Sequence, residues 1–227
     1  MIKKSDKIFV AGHNGLVGSA VLRLLKKKKF KNIIIKSRKE LDLLEQKKVE
    51  IFLKRKKPKV VIIAAAKVGG IKANNTYRAD FIRENLQIQS NIIHGCHLNN
   101  INNIIFLGSS CVYPKNCNLP IKENDLLSGK LEVSNEPYAI AKIAGIKMCE
   151  SYNKQYNRKY ISLMPTNTFG PGDNYNLENS HFIPAILRKI YQANIKNKKT
   201  IFLWGTGKPK REIIFVDDLA EAIIHFM

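Results

Sequence analysis

Acidic residues are scarce in this chain: 18 Asp and Glu stand against 39 Lys and Arg, a formal net charge of +21 over 227 residues. Cysteine, tryptophan and long apolar runs are scarce too, and each scarcity excludes something. The four cysteines (Cys96, Cys111, Cys117, Cys149) are widely spaced and form no CxxC pair. That spacing argues against a zinc site and against a disulfide scaffold, so the expectation is free thiols in a reducing cytoplasm and no metal. The strongest apolar run, "VVIIAAA" at 60–66, is strand-sized and far short of a membrane span. "MIKKSDKIFVAG" runs from the first residue straight into a strand and a glycine loop, which leaves no room for a signal peptide.

The basic excess is spread rather than clustered at one site. "KKKKFK" (26–31) and "KRKKPK" (54–59) fall at expected helix ends, where cations suit the dipole, and "KNKK" lies at 196–199. The reading is a solvated surface that also attracts an anionic small ligand. No DNA- or RNA-binding motif accompanies the charge, so no nucleic acid and no membrane is expected as a partner.

What is present is alternation. Short apolar runs at 7–11, 32–36, 59–64, 103–108 and 160–165 read as strands, with helical patterns near 16–28, 45–56, 76–98 and 137–156 between them. Nearly continuous apolar strands separated by helices predict an α/β fold, a doubly wound parallel sheet covered on both faces. With 44% hydrophobic residues the chain can fill such a core.

After Pro165 the texture changes. "TNTFGPGDNYNLENSH" is polar and rich in Gly, Pro and Asn, and reads as a long ligand-facing loop before a helix near 182–193. The last ten residues read as an amphipathic helix running to Met227, with Asp217 or Asp218 near its start. The expected division is a nucleotide-binding domain over 1–167 and a partial substrate domain over 168–227, with the 213–227 strand and helix free to pack back on the first.

Three motifs carry chemistry. "VAGHNGLVG" places Gly12, Gly15 and Gly18 between the first strand and first helix. A tight turn, close approach of backbone to a pyrophosphate, and a helix N-terminus facing it are what a dinucleotide needs there. At the end of the second strand, "IIIKSRKELD" offers Ser37, Arg38 and Lys39 where a carboxylate would bind the ribose 2′-hydroxyl. A cation in that place favours the 2′-phosphate of NADP(H). "EPYAIAKIAG" puts Tyr138 and Lys142 at i, i+4 on one helix face, where the ammonium is expected to lower the phenol's pKa toward working pH.

The strand at 103–108 ends as "FLGSSCVYPK". Ser109 can hydrogen-bond a substrate carbonyl, and Cys111, two residues on, can move a proton at the carbon beside it. Simple ketone reduction needs no such thiol; acid–base work at carbon does, with a partner on the opposite face. His181, in "NSHFIP", is the best candidate because imidazole titrates near neutrality. His13, His94, His97 and His225 lack comparable context, and Cys96, Cys117 and Cys149 read as packing residues.

With these stretches, and with "AAAKVGGIKANN", "MPTNTFGPGDN" and "WGTGKPKREIIFVDDLA", the sequence resembles the extended short-chain dehydrogenase/reductases, and among them the nucleotide-sugar epimerase–reductases that form GDP-L-fucose. The resemblance runs over essentially the whole chain. It implies an NADPH-dependent enzyme acting on GDP-4-keto-6-deoxy-D-mannose, by epimerisation at C3 and C5 and then hydride reduction at C4. Carried over, Cys111 and His181 match the epimerisation base and acid, Tyr138 the proton donor, Lys142 its activator and ribose ligand, and Ser109 the carbonyl donor. Cofactor contacts match Gly12, His13, Asn14, Gly15, Leu16, Val17, Gly18, Arg38, Leu107, Gly108, Ser109, Ser110, Lys142, Pro165, Thr166, Asn167, Thr168 and His181. Lys189, Trp204 and Arg211 match the GDP-sugar contacts, and a homodimer through sheet-flanking helices is implied.

Two departures qualify the match. Asn14 stands where the family often has an arginine, which leaves NADP preference to Arg38. The family is also longer, and the expectation is that the segment completing its sugar-nucleotide domain is not in this chain. Two other readings stay open. One is another nucleotide-sugar epimerase or dehydratase, where a threonine and an acidic pair would be more usual than Cys111. The other is a silent NADP-binding remnant that associates with a partner chain.

Overall fold

A computed structural model describes residues 2–203 and 205–227. Among them β1 (Lys7–Ala11), β2 (Asn32–Ile34), β3 (Val60–Ile63), β4 (Asn103–Leu107) and β5 (Lys159–Leu163) form one sheet, all pairs parallel, in the order β2-β1-β3-β4-β5. The β-branched runs explain the strands, since such side chains pack well on a pleated surface. Alternate residues face opposite sides: Ile8 and Val10 enter one core, Phe9 and Ala11 the other, and all four residues of β3 are fully buried.

The helices are α1 (Leu16–Lys27), α2 (Gln46–Lys56), α3 (Ile71–Thr76), α4 (Arg78–Leu98), α5 (Glu136–Tyr156), α6 (Phe182–Ile195) and α7 (Val216–His225). One core joins the sheet to α2, α4 and α5 through Phe52, Leu53, Ile92, Phe106 and Ile146. The other joins it to α1 and α7 through Val21, Leu25, Leu219 and Ile223. Each such fully buried aliphatic or aromatic side chain contributes roughly 1.5–3 kcal/mol. The strand order turns back between β1 and β3, so their connections leave in opposite directions and a crevice opens at the C-terminal strand ends.

Several boundaries differ from those the sequence suggests. β2 stops at Ile34 and β5 at Leu163, because the following residues bend away toward the crevice. The segment expected to begin a helix at 76 carries a separate short helix, α3, capped by Gly70, and α4 restarts after Tyr77. The final helix starts at Val216, which places Asp217 and Asp218 together in its first turn, and it ends at His225. The strand expected at the start of 213–227 is β7 (Ile213–Phe215), and it pairs in parallel with β6 (Asn167–Phe169), a strand in the loop after Pro165 too short for alternation to reveal.

Candidate functional site

The crevice is built first by glycine. Gly12 has φ +85°, and a Cβ on it would lie 2.6 Å from the Ala65 amide nitrogen, so β1 and β3 meet at their ends only without that side chain. A Cβ on Gly18 would strike the Gly12 carbonyl, so α1 sits tightly against the loop. Gly15 caps α1 with no side-chain bond, and the first turn, Leu16 to Ser19, carries no acid. The Ser19 amide is bonded to the Gly15 carbonyl, and those of Leu16, Val17 and Gly18 before it are open to an anion. Leu16 and Val17 pack on the core, Asn14 is exposed, and the buried Nδ1 of His13 has no hydrogen-bond partner among the described residues. A diphosphate fits this cradle.

Arg38 lies four residues beyond β2, largely exposed, with Nε 3.4 Å from Asp42. Glu40 accepts from Lys36 and from the amide and hydroxyl of Ser37, which pull its carboxyl down to about 2. The acids of this turn are thereby occupied, and the guanidinium projects into solvent.

The second part of the site gathers at the end of β4. Gly108 donates to the Leu163 carbonyl and Ser110 to that of Pro165, so residues 108–110 run beside Leu163–Pro165. Thr166 and Thr168 continue this wall through a hydroxyl-to-carbonyl bond, while Asn167 is turned to the Glu212 carbonyl in β6. Ser109 then starts a single 3-10 turn, Ser110–Val112. Its Oγ accepts from the Cys111 thiol at 3.1 Å and stands close enough to the Tyr138 phenol to draw its pKa down against burial.

α5 reaches this point because Gly145 has no side chain: a Cβ there would collide with the Phe106 ring. Lys142, only 3% exposed, donates from Nζ to the Leu107 carbonyl at 2.7 Å and lies 5.7 Å from the centre of the Tyr138 ring. Ser109, Cys111, Tyr138 and Lys142 thus form one constellation.

Its electrostatics correct the expectation for the phenol. Burial pushes Tyr138 up, the neighbouring Cys111 adds to this, and the Ser109 hydroxyl only partly opposes them. Lys142 is itself pushed down to about 8 by burial. Desolvation outweighs the ammonium because Lys142 faces the ring and a carbonyl rather than the phenol oxygen. Burial also raises the Cys111 thiol, against the Ser109 bond and the Lys142 charge.

His181 stands at the N-cap of α6, but its ring makes no cap bond. The residue is exposed, yet the chain around its ring desolvates the imidazole and lowers its pKa, and the Asp173 carboxylate opposes that. The loop before it is tied to the sheet half: Gly70 donates to the Asn179 carbonyl, and a Cβ on Gly69 would lie 3.3 Å from the Phe81 ring. That ring meets Tyr138 edge-on, 6.4 Å between centres. His181 is therefore linked to the constellation through Asn179, Gly69 and Phe81.

The expected sugar-nucleotide contacts are more dispersed. Lys189, on α6, is half-buried and donates to the Phe202 carbonyl, and the exposed Arg211 donates to the Lys210 carbonyl. Trp204 lies outside the described residues. Sequence reasoning missed Asp173, whose only signal is an acid in the "GPGDN" stretch, and Asn85, a buried amide inside a helical pattern that could equally have been an exposed one. No helix among the described residues is long and apolar enough to cross a membrane, and all four cysteines are free.

Comparisons agree with this geometry. The profile of the NAD dependent epimerase/dehydratase family matches residues 8–227. The chain is 53% identical to GDP-L-fucose synthase of Escherichia coli over 222 residues, covering 98% of this chain and 69% of that one. Two solved structures superpose closely. One is MlghC, a GDP-mannoheptose C4 reductase from Campylobacter jejuni with NADP bound, with TM-score 0.90, 38% identity, and coverage of 99% of this chain and 75% of that one. The other is a GDP-L-fucose synthetase from Naegleria fowleri bound to NADP, with TM-score 0.88, 30% identity, and coverage of 99% and 73%. A parallel sheet with a glycine-built crevice, a Ser–Cys–Tyr–Lys constellation at its edge and likeness over the full chain lead to one conclusion: this chain belongs to the NAD dependent epimerase/dehydratase family.

Proposed function

We propose that this chain is an NADPH-dependent enzyme that converts GDP-4-keto-6-deoxy-D-mannose to GDP-L-fucose, by epimerisation at C3 and C5 and then reduction at C4. The observation that carries the reading is the thiol: Cys111 donates to the Ser109 hydroxyl at 3.1 Å, and that hydroxyl stands beside Tyr138, the group that would protonate the 4-keto oxygen. A reductase alone would need only the serine, the phenol and the amine.

In this reading Ser109 and Tyr138 donate to the keto oxygen, which makes the C3 and C5 hydrogens acidic and stabilises the enolate oxygen. Cys111, as thiolate, takes a proton from carbon, and His181 returns one to the opposite face. A C–H and an N–H bond break as an S–H and a new C–H bond form, with no net gain of atoms. The Ser109 bond and the Lys142 charge both favour the thiolate. NADPH, when bound, would supply the hydride for C4 and become NADP⁺. Tyr138 gives its proton to the C4 oxygen, and Lys142 stabilises the phenolate left behind. A phenol held protonated by burial suits this direction, because the step needs a donor.

The glycine loop and the α1 amide groups would hold the pyrophosphate, Arg38 the 2′-phosphate, and Leu107–Ser110 with Pro165–Thr168 the nicotinamide end. Lys189, Trp204 and Arg211 are assigned to the GDP-sugar. Placement in the cytoplasm and a homodimer through α4 and α5 complete the proposal; Ile140 and Leu98 are exposed on that helix pair.

The test is incubation with NADPH and GDP-4-keto-6-deoxy-D-mannose in deuterated water. Deuterium at C3 and C5 with one NADPH oxidised per product is the expected result. Reduction without exchange would indicate a different nucleotide-sugar reductase, and neither event would indicate a nucleotide binder.

A further inference from the structure

The basic runs at 26–31 and 54–59 lie apart along the chain, but the fold brings them to one place. All five strands of the main sheet are parallel, so their N-terminal ends share one edge. α1 ends at that edge on Lys26 and Lys27, and α2 on Lys54, Arg55 and Lys56. Backbone bonds stitch the strand starts together. The Lys31 amide donates to the Lys4 carbonyl at 2.9 Å, that of Lys59 to Lys7 at 2.8 Å, and that of Lys159 to Asn102 at 2.9 Å. The side chains of Asn32 and Asn103 donate to the Ser5 and Lys59 carbonyls and complete the seam.

The cations of this seam are left uncompensated. Lys4, Lys7, Lys31, Lys59 and Lys159 are exposed, and among the described residues none of them pairs with an acid. Lys7 reaches only the Lys56 carbonyl. Two acids that border the edge are already engaged: Asp6 accepts from the Lys3 amide, and Glu221 pairs with Lys28. Like charges held side by side repel one another, and a polyanion relieves that repulsion. A nucleotide in the crevice does not, because β1 rises roughly 13 Å from Lys7 to Ala11 and the glycine loop lies at its far end.

We propose that this edge of the sheet is a docking surface for the phosphate backbone of double-stranded nucleic acid. Five strands spaced about 4.8 Å apart make a row roughly 19 Å long. A duplex carries a phosphate every ~3.4 Å along each strand, so about five phosphates of one strand face that length. The residues between the lysines are Asn32, Asn102 and Asn103, whereas a bilayer surface is met by projecting apolar side chains. Lysines are compact charges on flexible stems, and no base-reading motif accompanies them. The contact is therefore to phosphates and independent of base sequence.

The experiment titrates the full chain into a fluorescein-labelled duplex of roughly 20 base pairs and arbitrary sequence, and reads anisotropy between about 50 and 200 mM salt. Affinity should fall about a hundredfold across that range. Replacing Lys4, Lys31, Lys59 and Lys159 together by Gln should weaken binding by about ten- to hundredfold and lower the salt slope by roughly three to four. Lys59→Gln alone, with its melting temperature unchanged, should lower the slope by about one. A control set, Lys47→Gln, Lys130→Gln, Lys196→Gln and Lys198→Gln, removes the same charge away from the edge and should stay within about threefold of wild type. Equal loss in the two sets would reduce the effect to net charge and overturn the proposal. No binding at the lowest salt would overturn it too, as would displacement of the duplex by saturating NADPH, which would put the duplex in the crevice. Tighter binding to vesicles of anionic phospholipid than to the duplex would make the partner a membrane and overturn it as well.

Discussion

Tyr138 and His181 serve one candidate site from differently built surroundings. Tyr138 projects from α5, whose Ala139, Ala141, Ile143, Gly145 and Ile146 are buried against the sheet, with Lys142 sunk among them. His181 opens α6, where Pro184 is the buried residue and Leu187, Ile190, Tyr191 and Ile195 are exposed. One group stands on a close-packed platform, the other on a loop fastened by asparagine side chains and backbone turns. Local stability follows buried contact, so α6 and its loop should open at lower free energy than α5. The contrast suggests a division of labour: reduction is anchored in the sheet half, and epimerisation depends on how the 170–181 loop is held.

The sharpest way to break that division is Tyr138→Phe. C4 reduction should fall by about a thousandfold, roughly 4 kcal/mol of transition-state stabilisation, while deuterium exchange at C3 and C5 persists through Cys111 and His181. Equal loss of both, measured on one sample by NADPH oxidation and mass spectrometry, would mean that the two chemistries are not separable. Next in size is Gly18→Ala. The added Cβ meets the Gly12 carbonyl, and the required shift should cost about 3 kcal/mol and weaken NADPH binding by about a hundredfold in a fluorescence titration. Undiminished binding would show that the loop yields more readily than its packing implies.

Asn85→Leu tests the fastening between the halves. The buried Asn85 amide accepts from Lys67 N and donates to the Lys67 and Phe81 carbonyls, which holds the 65–70 strand end against the residue that touches Tyr138. Leucine leaves those backbone groups unpaired, at about 2 kcal/mol, and should lower Tm by about 4–8 °C. Exchange should suffer more than reduction, since Gly69 and Gly70 also carry the loop that presents His181.

The same contrast governs what could be read from the residues alone. Strands such as 60–63 and 103–107 were legible because continuous β-branched runs have few other uses, and the glycine loop and the Tyr138–Lys142 spacing were legible because each sits in a fixed place relative to them. β6 and α3 were not: three- and six-residue elements give no periodicity, and β6 depends on a partner far along the chain. The phenol was misjudged in direction because spacing shows that Lys142 is near Tyr138 but not that both are desolvated, and burial dominates.

That desolvation yields the smallest effect and the finest test of the comparison. Lys142 is held at about 8, so its charge is present below that value and lost as pH rises through it. Tyr138 is raised and keeps its proton over the same range, so it cannot be the origin of a limb there. Cys111 is also raised, so its thiolate fraction grows with pH. C4 reduction, measured in single turnover with a pre-epimerised 4-keto sugar, should therefore decline above about pH 8, by about tenfold at pH 9. Exchange at C3 and C5 needs the Cys111 thiolate and the His181 imidazolium together, so it should stay level over the same interval, the one growing as the other falls. Parallel pH profiles for the two reactions would mean that one group controls both, and that the sheet half and the loop half do not divide the chemistry between them.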